Sequence, residues 1–272
     1  MMASNKQDHQ ALINAVEENL WEMWSHFGRG PGCGLHDEGD CLWFENPIPI
    51  IPYNGILKFQ VEEDVDNRIE KLIKHFRERQ ADFMWVVHPT SKPANLPELL
   101  RAHGLQEIEP MPCMVRHLDK LPDPPPIPDG MELREVLEED DESEFVDFAS
   151  WRWGVEEKFK HQLADTFSEF RVGKPGTKTH VWQIWHGTNP VAKAGVYFSK
   201  SSAGIYAVAT KPEAQRLGLA SIVTITALQF ARNYGKDLAI LYSTPMAERL
   251  YRRLGFIKIA DAYLYGSVVA NV

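Results

Sequence analysis

The sequence predicts a mixed protein of α-helices and β-strands (α+β) divided into two domains. Its 272 residues exceed the common size of a single domain, about 100–150 residues. The stretch 121–130, LPDPPPIPDG, contains five prolines, which remove backbone donors and prevent helix formation. Strand-like and helix-like segments alternate on both sides of this stretch in a similar order. We therefore expect one domain in residues 1–120, a linker at 121–130 and a second domain in residues 131–272.

Composition favours a globular protein, with 44% hydrophobic and 25% charged residues. The net charge of −9 argues against nucleic acid as a partner. Charge is unevenly distributed, since residues 171–272 hold 13 Lys and Arg against 4 Asp and Glu. A basic segment in an acidic protein suits a small polyanionic ligand, and the acidic first half mildly favours a cationic second substrate.

The sequence lacks the patterns that are typical of several classes of protein. No apolar run reaches the roughly 18–20 residues of a membrane span, and the first ten residues lack the apolar core of a secretory signal. We therefore expect a cytoplasmic protein without membrane association. Histidines lack the spacing of metal ligands, so no metal is predicted, and no GxSxG elbow is present for hydrolase chemistry.

The second half predicts the order β-α-α-β-β-β-α-β-α-β-β. Its strands are runs of β-branched and aromatic residues separated by turn residues such as Asn189 and Pro190, and its last two helices end at Gly235 and Gly255. The predicted elements are strand 131–136, helices 138–151 and 155–170, strands 180–186, 191–198 and 204–209, helix 217–234, strand 238–242, helix 246–254, and strands 256–260 and 262–269.

The first half predicts a shorter version of the same order. Aligning Gly104 with Gly255 also superposes the preceding strand and helix patterns, which indicates an internal duplication. The predicted elements are helix 10–26, strands 41–45 and 55–60, helix 65–80, strand 83–88, helix 96–103, and strands 105–109 and 113–118.

A short run between a predicted strand and a predicted helix carries the main chemical signal. It reads Val208, Ala209, Thr210, then KPEA, then Gln215, Arg216, Leu217, Gly218, Leu219, Ala220. The start of a helix offers unbonded N–H groups and the positive end of the helix dipole, which together stabilise an anion. Small residues at 218 and 220 let phosphate oxygens approach the backbone, and Arg216 adds a charged donor.

This run resembles the acetyl-CoA loop of the GNAT acyltransferase superfamily, Gln/Arg-x-x-Gly-x-Gly/Ala after a strand. Gln215, Gly218 and Ala220 match it in order. A second segment, 247–256 (AERLYRRLGF), is similar to the family's late helix, whose tyrosine is the usual general acid for the departing thiolate. The resemblance covers residues 131–272 and implies a GNAT-like domain, a mixed, mostly antiparallel sheet flanked by helices; with the duplication, it implies two such domains.

The resemblance also implies residue roles. Acetyl-CoA, or another short acyl-CoA, would serve as co-substrate, held by residues 208–210 and 215–220, with its pantetheine arm between strands 204–209 and 238–242. A backbone amide near Val208 would polarise the thioester carbonyl, and Tyr251 would protonate the sulfur. A packing role for Tyr251 is the alternative.

This chain departs from the family in two places. The early strand position that is commonly Glu aligns with Gly204, which leaves the general base open among Tyr206, a water chain and a residue of the other half. Ser243 and Thr244 stand where many members have Asn, and either hydroxyl is a candidate contact for pantetheine. Trp151 and Trp153 are candidates for lining an acceptor pocket or for packing without contact.

The first half lacks the residues to which the resemblance assigns these roles in the second half. Under the duplication, Leu100 takes the position of Tyr251, and the segment 61–66 (VEEDVD) takes the position of the phosphate loop. Four carboxylates there repel a pyrophosphate. We therefore expect a degenerate copy that binds no CoA and walls the acceptor site.

These patterns predict an acetyl-CoA-dependent N-acyltransferase that transfers its acyl group directly to the primary amine of a small molecule or peptide. The alternative is a non-catalytic acyl-CoA-binding or interaction module. Because the motif identifies the donor only, transfer to a hydroxyl or thiol stays open, as does the oligomeric state.

Overall fold

The computed structural model describes residues 2–137 and 142–267, with side chains for 7–137 and 146–267. Its helices are α1 (Met2–Trp24), α2 (Val65–Glu78), α3 (Leu96–Ala102), α4 (Glu142–Trp153), α5 (Lys160–Ser168), α6 (Leu219–Asn233) and α7 (Glu248–Arg253). Its strands are β1 (Gly34–Asp37), β2 (Cys41–Glu45), β3 (Gly55–Phe59), β4 (Met84–Val87), β5 (Gln106–His117), β6 (Met131–Glu135), β7 (Thr179–His186), β8 (Asn189–Phe198), β9 (Ala203–Thr210), β10 (Leu238–Tyr242) and β11 (Ile257–Gly266).

The strands form one sheet in the order β1-β2-β3-β4-β11-β5-β10-β9-β8-β7-β6. Two neighbouring pairs are parallel, β3 with β4 and β9 with β10, and the others are antiparallel. The predicted mixed, mostly antiparallel sheet flanked by helices is confirmed. The strands of both halves, however, share a single sheet.

The two halves exchange their last strands. β5 pairs with β10, and β11 pairs with β4, while β5 and β11 pair with each other at the centre. The order of strands is therefore nearly symmetric about the β5–β11 pair, as expected for a duplicated sequence. The proline-rich linker at 121–130 separates the halves along the chain without separating them into two sheets.

Helices cover both faces of the sheet. Successive residues of β4 alternate between cores, since Met84 packs with α1 whereas Trp85 packs with α2 and α3. In the second half, α4 and α5 share the core of α1, and α6 and α7 cover the opposite face of β8, β9 and β10. Of the helices within the described residues, none is long and apolar enough to cross a membrane.

Some predicted boundaries differ from the structure. The proline-containing segment 105–118 forms one strand, because the carbonyl of Pro112 accepts a bond from Ser243 N on the β10 side. The prolines at 110 and 112 therefore turn their donor-free nitrogens away from β11. The predicted strands 256–260 and 262–269 are likewise one strand with an irregularity between Lys258 and Ala260.

Other differences concern helices and short strands. The predicted helix 155–170 is a 3-10 turn, Glu157–Phe159, followed by α5. Strand β1 was not predicted. Residues 138–141 of the predicted helix 138–151, and residues 268–269 of the last predicted strand, lie outside the described residues.

Candidate functional site

A wedge opens between strands β9 and β10. These parallel strands pair only at Ala203 with Ala239 and at Gly204 with Ile240. Beyond these pairs, no backbone hydrogen bond between the two strands is present in the described part of the chain. The wedge lies toward the carboxyl ends of both strands, between residues 205–210 and 241–244, where the family resemblance predicts the pantetheine arm.

A β-bulge lies on the β9 side of this wedge. Gly195 of β8 faces Tyr206 and Lys193 faces Ala209, so β9 contains one extra residue. Ala207 adopts a left-handed φ of 53°, a conformation that costs roughly 1 kcal/mol or more for a residue with a side chain. The bulge takes Ala207 and Val208 out of the regular ladder and changes the direction of their peptide groups.

The predicted anion loop follows β9 directly. After a 3-10 turn, Pro212–Ala214, the chain reaches Arg216 with φ 64° and Gly218 with φ 79°, and α6 begins at Leu219. The N–H groups of residues 216–220 make no hydrogen bond within the described residues. Residues 215–218 are exposed. The loop therefore presents successive free amides at the positive end of a 15-residue helix, an arrangement suited to a phosphate group.

Tyr251 lies on α7 and is 7% exposed. Its ring packs edge-to-face on Phe256 with centroids 5.9 Å apart, and its hydroxyl has no hydrogen bond among the described residues. Burial raises the pKa of Tyr251 to about 12, so the phenol keeps its proton at neutral pH. This state is the one that a proton donor needs, although the ring also belongs to the core.

Ser243 and Thr244 lie where β10 leads into α7. The Ser243 hydroxyl donates to the Thr244 carbonyl at 2.7 Å. The Thr244 hydroxyl accepts a bond from Ala247 N at 3.3 Å. Both side chains thus organise the turn that positions α7 beside the wedge.

The space beside Gly204, the position at which the family resemblance predicts a glutamate, is filled from the other half. A Cβ built on Gly204 would clash with Asn19 Oδ1 and with the Tyr206 ring. Asn19 belongs to α1 and accepts a hydrogen bond of 2.8 Å from the Tyr206 hydroxyl. Burial raises the pKa of Tyr206 well above its usual value. A protonated phenol bound to Asn19 is poorly suited to act as a base.

The equivalent wedge in the first half is closed. Strands β3 and β4 also pair at only two positions, Gly55 with Met84 and Ile56 with Trp85. Beyond them, Lys92 N donates to Phe59 O at 2.9 Å, and residues 60 and 92 form a β-bridge. Trp21 of α1 adds a bond of 2.8 Å to the carbonyl of residue 57.

The helix start in the first half also differs. Helix α2 begins after Asp64, whose φ is 51°, so its backbone resembles the turn before α6. Glu62, Glu63, Asp64 and Asp66 surround this turn. Together with the closed wedge, these carboxylates make the first half unsuited to a pyrophosphate.

A cavity of ≈ 780 Å³, its open mouth included, lies on the α1 side of the sheet next to the bulge. Its wall combines residues of both halves. They are Met23, Trp24, Phe27, Pro52, Trp153, Phe167, Phe170, Val172, Thr179, Val181, Lys193, Gly195, Val196, Tyr197, Tyr206 and Ala207. Trp153 thus lines the cavity, whereas Trp151 is 46% exposed and packs on Phe148.

Sequence reasoning missed most of this wall and the α1 residues beneath the wedge. Asn19 lies 187 residues along the chain from its partner Tyr206 on β9, and Phe27 lies more than 100 residues from its partner Phe170. No local pattern marks such a contact. Among the described residues, no group of three or more His, Cys, Asp or Glu side chains could hold a metal ion.

Comparisons with known proteins agree with this geometry. Residues 134–256 match the Acetyltransferase (GNAT) family, whereas no curated protein matches the chain by sequence. The fold is similar to that of a GCN5-related N-acetyltransferase from Kribbella flavida, with a TM-score of 0.65 and 19% identity over 95% of this chain and 97% of that chain.

Two further solved structures share the fold. One is a tandem GNAT protein from the clavulanic acid biosynthesis pathway, with a TM-score of 0.62 and 11% identity over 91% of this chain and 86% of that one. The other is a GCN5-related N-acetyltransferase from Sphaerobacter thermophilus, with a TM-score of 0.61 and 13% identity over 83% and 75%. Residues 134–256 thus match the GNAT acetyltransferase family, and they are set in a fold that the chain shares with a tandem GNAT protein over most of its length.

Proposed function

We propose that this protein transfers an acetyl or other short acyl group from CoA directly to a primary amine, in the wedge between β9 and β10. The GNAT fold supports acyl transfer in general, and the choice of donor and acceptor is our inference. The observation that carries it is the contrast between the two wedges. One is open and followed by free amides, whereas the other is bridged and surrounded by carboxylates.

In this proposal the pyrophosphate of acetyl-CoA accepts hydrogen bonds from the N–H groups of residues 216–220, and the Arg216 side chain adds positive charge. Gln215, Leu217 and Leu219 belong to the same turn. The pantetheine arm extends along Val208, Ala209 and Thr210 on one side and past Ser243 and Thr244 on the other. This arrangement brings the thioester to the bulge.

The reaction has one bond-forming and one bond-breaking event. The amine nitrogen attacks the thioester carbonyl, forming a C–N bond, and the C–S bond then breaks. An N–H at the Val208 bulge stabilises the oxyanion of the tetrahedral intermediate. Tyr251 gives its proton to the departing thiolate, the acceptor nitrogen releases a proton to water, and Tyr251 regains a proton from water.

The first half supplies a wall of the acceptor site and no second donor site. Its closed wedge, the acidic turn at 62–66 and Leu100 in the position of Tyr251 support this assignment. Residues 1–120 are therefore a degenerate copy that contributes α1 to the reaction centre of residues 131–272.

Titration calorimetry with acetyl-CoA, followed by measurement of CoA release with a panel of amines, tests the proposal. We expect a stoichiometry of about one acetyl-CoA per chain, since the motif argument assigns an anion site to α6 alone. Two sites per chain would contradict the degenerate copy. Binding without transfer to any amine would favour the non-catalytic alternative, and no binding would reject both.

A further inference from the structure

The cavity next to the bulge has a strongly apolar, aromatic wall. Aromatic rings from α1 and the following turn (Trp24, Phe27) face rings from the second half (Phe167, Phe170). Phe27 and Phe170 pack edge-to-face with centroids 5.3 Å apart. Such walls bind ligands by removing apolar surface from water, so the cavity is suited to an apolar group.

The two tyrosine hydroxyls on the wall are engaged within the protein. The Tyr197 hydroxyl donates to Glu22 Oε1 at 3.1 Å and lies 3.2 Å from His26 Nε2. The Tyr206 hydroxyl is held by Asn19. Of the hydroxyls described on this wall, that of Thr179 lacks a partner. A ligand in the cavity therefore meets rings more than hydrogen-bonding groups.

Negative charge is absent from the lining among the described residues. The one charged side chain there is that of Lys193, which is cationic when protonated and lies over the Phe148 ring at 4.8 Å. The described residues of this wall offer no carboxylate to a polycationic ligand. The acidic composition of the first half therefore does not extend to the described lining.

The cavity reaches the reaction centre, since Tyr206 and Ala207 belong to both the wall and the bulge of β9. A molecule whose body fills the cavity can place an amine next to the Val208 amide. An apolar wall also disfavours the charged ammonium relative to the neutral amine. The apolar wall that binds the body of the amine thus also favours the neutral, nucleophilic form of its nitrogen.

We propose that the acceptor is a small primary amine carrying an aromatic or branched apolar body, which binds in this cavity against the β8 residue Gly195. This inference rests on the proposed function. Gly195 lines the cavity, and a Cβ there would make only ordinary contacts, 3.6 Å to Tyr206 O and 3.6 Å to Val181 Cγ2. Its φ lies outside the left-handed region, so a larger residue fits the backbone and occupies cavity space.

The experiment compares acceptors at saturating acetyl-CoA. The panel contains 2-phenylethylamine, 3-methylbutylamine, ethylamine, spermidine and a lysine peptide. We expect kcat/KM for the two apolar-bodied amines to exceed that for ethylamine by about tenfold or more, since each methylene in an apolar pocket contributes about 10-fold or more. Preference for spermidine or the peptide would overturn the acceptor class and leave the N-acyltransferase proposal intact.

Two variants of Gly195 make the test specific to the cavity. In Gly195→Leu, the ratio of kcat/KM for 2-phenylethylamine to that for ethylamine should fall by about tenfold or more, with a smaller fall in Gly195→Ala. Acetyl-CoA affinity, measured on the same preparations, reports whether the donor site is intact. An unchanged ratio in Gly195→Leu with normal acetyl-CoA binding would overturn the proposal. If no amine in the panel were acetylated, both the acceptor proposal and the N-acyltransferase assignment would be overturned.

Discussion

Gly218 has a φ of 79°, and a Cβ built on it would meet no atom within 4 Å. Space is therefore not the reason for glycine at this position. The left-handed backbone is the reason, because it directs successive N–H groups of the turn toward one region before α6 begins. Arg216, also left-handed with φ 64°, bears a side chain in the same kind of conformation two residues earlier.

Gly218→Ala should weaken acetyl-CoA binding about tenfold and destabilise the protein by about 1 kcal/mol. Gly235→Ala is a matched control at the other end of α6, since Gly235 has φ 89° and equally open space. We expect a similar loss of stability there with unchanged acetyl-CoA affinity. Calorimetry measures the acetyl-CoA affinity of each variant, and thermal unfolding measures its stability. Equal acetyl-CoA affinities in the two variants would contradict the anion-loop assignment.

Tyr251→Phe should lower kcat by about 10²-fold with little change in KM for acetyl-CoA. The phenol has no described hydrogen bond and lies in the core, so the variant retains the packing of the ring and its melting temperature. Steady-state kinetics with the best amine checks the expectation. Turnover within about twofold of the parent protein would assign Tyr251 a packing role.

Helix α1 is the element that joins the two halves into one site. It crosses the sheet centre, with Val16 packed on β4, β5, β10 and β11. Two of its polar residues are directed inward, since Asn19 lies beneath β9 and Glu17 accepts hydrogen bonds from Thr90 N and the Thr90 hydroxyl. The buried polar groups of α1 therefore fix where the helix rests on the sheet.

Glu17→Gln should change how stability depends on pH. Burial raises the pKa of Glu17 from 4.5 to about 7, so its contribution to stability is full below pH 4.5 and is lost as pH rises through 7. Glutamine does not titrate. The variant should therefore gain stability relative to the parent protein between about pH 5 and pH 8, on the order of 2 kcal/mol.

Urea unfolding at several pH values measures this difference. Burial lowers the pKa of His26 to about 4 and that of His88 to about 3, which destabilises both proteins on acidification below 6.5 and cancels in the comparison. Glu18→Gln is the matched control, because it replaces a carboxylate of the same helix on its exposed side. A constant difference across this pH range for Glu17→Gln would contradict its buried, protonated state.

The whole molecule depends on the exchanged strands β5 and β11. β5 lies between β11 and β10, and its residues 113–117 pair with the whole of β10. Removing the first half would expose the edge of β10 beside the open wedge and leave β11 without its partners. Unpaired strand edges promote aggregation, so neither half contains a complete sheet of its own.

Residues 131–272 produced alone should therefore fail to show a cooperative thermal transition, and co-expression with residues 1–130 as a separate chain should restore it. Insertion of a Gly-Ser segment at 121–130 is the matched control. It lengthens the connection without removing a strand, and loop lengthening costs only about 0.6 kcal/mol per doubling. A cooperatively unfolding second half would show that the exchange is dispensable.

Much of this architecture could be predicted from local patterns. The alternation of β-branched runs with helical periods located most strands and helices, and the spacing of Gln215, Gly218 and Ala220 located the free amides that the structure contains. These features depend on residues within one turn or strand of each other. Hydrophobic periodicity and backbone conformation act over that range.

Contacts between residues far apart along the chain could not be predicted from local patterns. The sequence by itself located most of the elements, the free amides before α6 and the helix that bears Tyr251, and it predicted that the first half lacks the corresponding residues. Only the tertiary structure decided that β5 and β11 are exchanged, that Asn19 fills the space beside Gly204, and that an aromatic cavity faces the bulge. The reason is physical, since pairing and packing between residues more than 100 positions apart depend on the assembled sheet and leave no local periodicity in the chain.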